Sequence, residues 1–291
     1  MKKEFLLPIY EVIFKFLFGD ERNKDILIDF LKAVLKIPHD EYDSVAISDP
    51  HLLREFKGDK LGILDIKLKL KSGTTINIEI QLAPMIALRN RLIYYLSKMT
   101  TEQIGDGDKY HEINPSISIV ILNHILIPES EKYYHHFTYN DLESGVVFSN
   151  LQELHTLELP KLPTQKGKET LLPWMKFFSI KSEEELHMVV AEYPQMEKVA
   201  TKYLEVTQSD RARALHEAKI KQERDAEARA EAKFEEVLSN AVSQAVSQAV
   251  SKTQLEERHS MAKSMLLKKM PLDIISEISG LSIEELERIE H

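Results

Sequence analysis

Residues 63–82 read ILDIKLKLKSGTTINIEIQL. Apolar and polar side chains alternate, stop at Ser-Gly-Thr, and then alternate again, the pattern of two strands joined by a tight turn. Taken as an antiparallel hairpin with Ser72, Gly73 and Thr74 in the loop, the stretch pairs Lys71 with Thr75 and sets Lys67 opposite Glu79 and Asp65 opposite Gln81. Successive side chains of a strand point to opposite faces. Asp65, Lys67, Lys69, Asn77, Glu79 and Gln81 then share one face, and Ile66, Leu68, Leu70, Ile76, Ile78 and Ile80 share the other, the core face. Asp65 and Glu79 become diagonal neighbours, about 7 Å apart or less at Cβ. Two carboxylates at that spacing can share one divalent cation, and hard oxygen ligands suit Mg²⁺ or Mn²⁺. The same alternation also describes the wet face of an ordinary half-buried hairpin, with Lys67 in a cross-strand ion pair with Glu79. Both readings are open on the pattern alone.

The surrounding chain supplies elements on which such a hairpin could rest. Residues 10–36 carry apolar side chains at helical spacing (Ile26, Leu27, Phe30, Leu31, Val34, Leu35), and Gly19-Asp20 divides the run into two predicted helices. A short strand is predicted over 45–49, strands over 63–70 and 75–82, and a helix over 85–104. SISIVILNHIL at 116–126 is almost wholly apolar and rich in β-branched residues, as expected of a strand buried on both faces. Further strands are expected near 132–138 and 154–159. From about Pro173 the pattern is helical to the end, interrupted at Pro194 and Pro271.

Composition narrows the class. The chain has 291 residues, 43% hydrophobic and 29% charged, enough for one sizeable core and an appendage. No apolar run approaches the roughly 20 residues of a membrane helix. Glu4 and Glu11 interrupt the apolar N-terminal stretch, which reads as structure rather than as a secretory signal. There is no cysteine, so thiolate chemistry and Cys-ligated zinc are excluded, and a cytoplasmic setting is the simplest expectation. The net charge of −9 argues against a broad basic coat for nucleic acid, but not against a local site whose metal ions screen phosphate.

The order of segments resembles the PD-(D/E)XK nuclease superfamily, and within it the Rpn family of recombination-promoting nucleases, which is also grouped with transposases. EVIFKFLFGDERNKDILIDFLKAVL resembles the family's opening helices and ILDIKLKLKSGTTINIEIQ its catalytic hairpin. RLIYYLSKM, GDGDKYHEINPSISIVIL, LHTLELPKL, LLPWMKFF and MAKSMLLKKMPLDIISEISGLSIEELERI resemble the family's later segments, in the same order. The resemblance implies a restriction-endonuclease-like α/β core, a mixed sheet flanked by helices, with an α-helical C-terminal extension. It implies that Asp65 and Glu79 hold a divalent metal, joined by the backbone carbonyl of Ile80, and that Glu11 is the acidic residue of the first helix, where the family usually shows Asp. Gln81 stands where the wider superfamily has a lysine; an amide donates a hydrogen bond but brings no charge. Lys67 is a candidate substitute cation. Arg91, in RLIYY, is a candidate phosphate contact four residues from Tyr95. For Tyr94, Tyr95, His124 and Trp174, core packing is the simpler expectation. The implied chemistry is metal-assisted hydrolysis of a DNA phosphodiester.

Three segments are expected: a nuclease-like domain over 1–205, a charged linker with the AVSQ repeat over 206–254, and a small helical unit over 255–291. Val242, Val246 and Val250 form one apolar stripe that could meet a second copy of itself, which points to a homodimer through the C-terminal helices. Ser282 and Glu285 make a capping box. IEELERIE is too acidic for a DNA-reading helix, so dimerisation or docking is preferred for the tail. Two functions are compatible with the sequence: a metal-dependent DNA endonuclease, or a catalytically weak nuclease-like protein that binds DNA or assembles through its tail.

Overall fold

The computed structural model describes residues 4–48, 65–163 and 169–290. Residue 49 of the first expected strand and residues 63–64 of the second lie outside the described residues. The chain divides into two units, 1–219 and 220–291.

In the first unit, helices α1 (Glu11–Phe18) and α2 (Lys24–Val34) precede strands β1 (Ala46–Ser48), β2 (Ile66–Lys69) and β3 (Thr75–Gln81). Helix α3 (Leu88–Thr101) leads to β4 (Ser116–Leu122), β5 (Tyr134–Asn140) and β6 (Val147–Glu158). Helices α4 (Leu172–Phe178), α5 (Glu183–Glu192) and α6 (Glu197–Gln208) complete the unit's regular elements up to α7. Among the described residues the strands form one mixed sheet in the order β1-β2-β3-β4-β6-β5. The centre, β3-β4-β6, is parallel, and β1, β2 and β5 are antiparallel to their neighbours. This is the mixed α/β sheet expected from sequence. Strand β6 is longer than predicted, because FSNLQE carries polar side chains on both faces and so lacks the alternation that marks a strand.

One face of the sheet carries the main core. Ile66, Leu68, Ile76, Ile78, Ile117, Ile119 and Ile121 meet the apolar stripes of the flanking helices. At its centre is an aromatic cluster. The rings of Phe14 and Phe18 are 4.7 Å apart, and Phe30 lies 5.4 Å from both Trp174 and Phe178. The Tyr203 hydroxyl donates to the Leu6 carbonyl and ties α6 to the N-terminal segment. Helix α1 ends at Gly19, where a Cβ would come 2.7 Å from the Lys15 carbonyl oxygen; only glycine fits that close turn.

The other face is covered by α3, whose Leu88 and Leu92 pack on Val120 and Leu122. The polar face of the hairpin is therefore not a wet face: Asn77 is 0% exposed and Glu79 1%. The hairpin register also differs from the predicted one by two residues. Lys67 pairs with Asn77 and Lys69 with Thr75. The loop is Lys71-Ser72-Gly73, closed by the Leu70 N–H donating to Thr74 O at 2.9 Å. A three-residue hairpin loop needs a left-handed residue in its last position, and Gly73, with φ +91°, supplies it. A shift of two leaves every side chain on its predicted face.

Helix α7 (Asp210–Leu267) spans the boundary of the two units, so the division expected at 254/255 falls inside a helix. In the second unit α8 (Leu272–Ser279) and α9 (Ile283–Glu290) build a small core of Ala262, Ile275, Leu281 and Leu286. The Ser282–Glu285 capping box forms, with the Ser282 N–H donating to Glu285 Oε2 at 2.8 Å. No helix among the described residues is long and apolar enough to cross a membrane.

Phe18 is fully buried. Phe18→Ala should lower the stability of the first unit by about 3–5 kcal/mol, whereas Tyr94→Ala, on an exposed side chain, should cost no more than about 0.5 kcal/mol. Urea titration followed by fluorescence of the single tryptophan, Trp174 in this cluster, measures both.

Candidate active site

Continuing the β2–β3 register one residue past Ile66 brings Asp65 opposite Glu79. Asp65 turns its carboxylate onto β3, where Oδ2 accepts the Ile80 N–H at 2.9 Å. In an extended strand the N–H and C=O of one residue point to the same edge. The Ile80 carbonyl therefore faces the edge occupied by Asp65. Glu79 is held from two sides of its own strand: Asn77 Nδ2 donates to Oε1 at 2.9 Å and Gln81 Nε2 to Oε2 at 3.4 Å. The Arg91 guanidinium on α3 lies 3.9 Å from Glu79 Oε2 and stacks over the Tyr95 ring at 5.1 Å. Tyr95 itself packs against Met99, in keeping with the expected packing role.

Helix α1 adds a cation that the sequence reading overlooked. Lys15 Nζ is 2.8 Å from Glu11 Oε1 and 3.5 Å from Asp65 Oδ1. Glu11 is also 3.0 Å from Lys219 Nζ. The available signal was the i,i+4 spacing of Glu11 and Lys15. What the spacing could not give was that this edge of α1 meets the start of β2. Lys67 stands elsewhere: its ammonium closes on Glu102 at 3.1 Å, with both side chains largely buried. It forms no pair with Glu79 and does not reach the carboxylate cluster.

The electrostatics of the three acids differ. Burial raises the Asp65 carboxyl above the usual range, and the charge of Glu11 adds to it, against the Ile80 N–H and the Lys15 charge. Burial likewise raises Glu79, with the Asp65 charge adding, against Asn77 and Arg91. Burial also acts on Glu11, but hydrogen bonds from Lys15 and Lys219 outweigh it and hold that carboxyl low. Asp65 and Glu79 are thus a desolvated, mutually repelling pair for which a proton or a cation is the natural partner. The donor set of two carboxylates and a nearby backbone carbonyl edge fits an oxygen-preferring divalent ion.

Two further residues are structural. Trp174 is core. Gln103 pins the loop before β4, donating to Asn114 O and accepting the Asn114 N–H, each at 2.9 Å. A buried ion pair in LELPKL also went unread as such. Lys161 Nζ is 2.8 Å from Glu158 Oε2, which accepts the Leu126 N–H at 3.2 Å and so anchors the segment after β4. The i,i+3 charges inside an apolar run were the signal for it.

The raised carboxyls carry a linkage consequence. The metal-free folded protein holds more protons than the unfolded chain between the ordinary carboxylate pKa and the raised values, so stability falls as pH rises through that window. Glu79→Gln removes the burial of that charge. In chelator at pH 8 it should raise the melting temperature by about 2–4 °C, the equivalent of about 1 kcal/mol, and the gain should vanish below the ordinary carboxylate range. A lower melting temperature at pH 8 would show that the partners of Glu79 outweigh its desolvation.

A family model described as PD-(D/E)XK nuclease family transposase matches residues 8–233. No curated protein and no solved structure matches the chain. The matched region begins ahead of α1 and runs into α7, taking in the whole sheet, the Asp65–Glu79 hairpin and Arg91. The six-stranded mixed sheet with helices on both faces fits the restriction-endonuclease-like fold of that group. With its fold and its acidic hairpin both inside the match, this chain belongs to the PD-(D/E)XK nuclease family transposases.

Proposed function

We propose that the protein is a divalent-metal-dependent DNA endonuclease that hydrolyses phosphodiester bonds, with recombination as the process it serves. The observation that carries this reading is the pair of desolvated carboxylates, Asp65 and Glu79, brought opposite each other in a family of nuclease character. Asp65, Glu79 and the Ile80 carbonyl would hold the ion, Mg²⁺ or Mn²⁺ by the hardness of the ligands. When bound, that ion supplies a polarised phosphoryl oxygen, a more acidic water and charge neutralisation at the leaving 3′ oxygen.

The remaining roles fall to the chain's own groups. Gln81 orients Glu79 through its amide and leaves the site without a charge at that position. Lys15 sits where such a charge is useful, against Asp65, and its stem enters from a different element. On this reading Lys15 offsets negative charge developing on the scissile phosphate, and Glu11 positions it. Arg91, whose side chain is 30% exposed, sets Nη2 3.9 Å from Glu79 and Nη1 3.4 Å from the Met85 sulfur, and on this reading it exchanges the weak sulfur contact for a phosphate oxygen. Lys67 has no part in substrate binding, being committed to Glu102.

Plasmid nicking with Mg²⁺ or Mn²⁺ tests the assignment. Asp65→Ala and Glu79→Ala should each reduce cleavage by roughly 10²–10³-fold or more, Lys15→Met by roughly 10²-fold, and Lys15→Arg should recover part of the loss. Cleavage unchanged in either alanine variant removes the site.

A second reading, assembly through the tail, has an observation of its own. Val242, Val246 and Val250 on α7 are 54%, 56% and 49% exposed at four-residue spacing. The AVSQ repeat makes this surface self-complementary, and its occupant on this reading is a second copy of the chain. Light scattering on the full-length protein should give a dimer that the triple change Val242→Glu, Val246→Glu, Val250→Glu converts to a monomer. A wild-type monomer ends this reading and leaves the nuclease assignment untouched.

A further inference from the structure

We propose that His136, Glu153 and His155 form a second metal site, for a transition ion of the zinc class, on the sheet face opposite the Asp65–Glu79 pair. The site is set by the strand register. His136 on β5 is directly opposite His155 on β6, and Glu153 precedes His155 by two residues on the same face. His155 aligns with Ile119 on β4, which in turn aligns with Ile78 on β3. Glu79, one residue on, points to the other side. Neither cluster can serve the other's ion, so this inference does not depend on the nuclease reading.

The donor atoms are close, but the His136 and His155 rings stack at 4.3 Å with 9° between their planes, so the His136 ring must turn before both Nε2 lone pairs meet at one ion. His136 Nε2 is 2.7 Å from Glu153 Oε2, and His155 Nε2 is 3.5 Å from the same oxygen. All three donor atoms lie within 4.8 Å of one another. Ligands at zinc bond lengths of about 2.0–2.1 Å in a tetrahedron are about 3.3 Å apart, so the widest pair has to close by up to about 1.5 Å while His136 and Glu153, at 2.7 Å, open by about 0.6 Å. The movable member is His136, which lies on the edge strand and is 40% exposed along its side chain. Its register irregularity begins one residue later, between Phe137 and Tyr139.

His155 is the independent witness. It is 2% exposed, and its Nε2 is buried without a hydrogen-bond partner. Leaving a buried ring nitrogen unpaired is costly. Its Nδ1 is engaged by the Tyr134 hydroxyl at 3.0 Å, which fixes the ring and aims Nε2 at the cluster. A ligating histidine characteristically has its second nitrogen held in this way. Two imidazoles and one carboxylate form a donor set for Zn²⁺ rather than for Mg²⁺. Solvent reaches the cluster past His136, so water completes the coordination. Bound there, the ion joins β5, the sheet's edge strand, to β6 beside a bulge where the backbone ladder is weakened.

The test uses the full-length protein freed of metal by chelator, titrated with Zn²⁺ and, as a spectroscopic probe, with Co²⁺. One equivalent of Co²⁺ should give visible d–d absorption, and Zn²⁺ should displace it and raise the melting temperature. Both responses should persist in the Asp65→Ala, Glu79→Ala double variant. Affinity should fall at least tenfold in His136→Ala and in Glu153→Gln, two changes at the solvent-facing side that leave His155 in place. Circular dichroism of these variants checks that the fold is kept. Absence of binding in the wild type, wild-type affinity in either folded variant, or loss of binding in the Asp65/Glu79 variant would each overturn the proposal.

Discussion

Two carboxylates sit where the sheet can least solvate them. Asp65 and Glu79 project from the hairpin on the side that α3 covers, and burial raises both above the usual carboxylate range. Partial compensation comes from one lysine, one arginine, two side-chain amides and one backbone N–H. None of these is a close, bidentate counter-ion. A fold that aimed only at stability would place apolar or paired groups here. The strain has a chemical use if a divalent cation is what the pair is shaped to receive.

The surrounding architecture serves this placement. Strand β4 and most of β3 are buried on both faces, joined by the last four residues of β6, which makes this centre a rigid base. Helix α1 is fixed by the aromatic cluster on one side of the sheet, and its polar edge extends Lys15 and Glu11 to the end of β2. Helix α3 delivers Arg91 from the opposite layer. Two helices on different faces therefore meet at one strand end. That is the geometry by which an α/β sheet gathers charges that are remote in sequence.

Much of this was legible beforehand, and the limits are physical. Strand parity survived a wrong loop assignment because side chains alternate with period two, so a shift of two residues is invisible to the face pattern. The register itself depended on which loop position takes positive φ, and Gly73 takes the last one. The partner of Lys67 could not be read, since Glu102 is brought beside it by packing of α3 and not by any local spacing. Lys15 was missed for the same reason. The His136–His155 pairing needed the register of β5 on β6, and the bulge in β5 hides that register from the sequence. Single-position chemistry, such as the Ser282 cap, was readable because both partners lie within one helical turn.

Glu11 opens the first helix, yet one of the two lysines that hold it is Lys219, at the far end of the first unit. Contacts this remote along the chain close late in folding, because the loop between them must be ordered first. During synthesis the hairpin, α3 and the sheet can form while the last residues of the unit are still inside the ribosome. A nascent chain would then carry its acidic hairpin, with Lys15 already paired to Glu11 within α1, before Lys219 arrives. The Glu11–Lys219 ion pair is a property of the finished unit alone, and it closes only after the first strands of the sheet have folded.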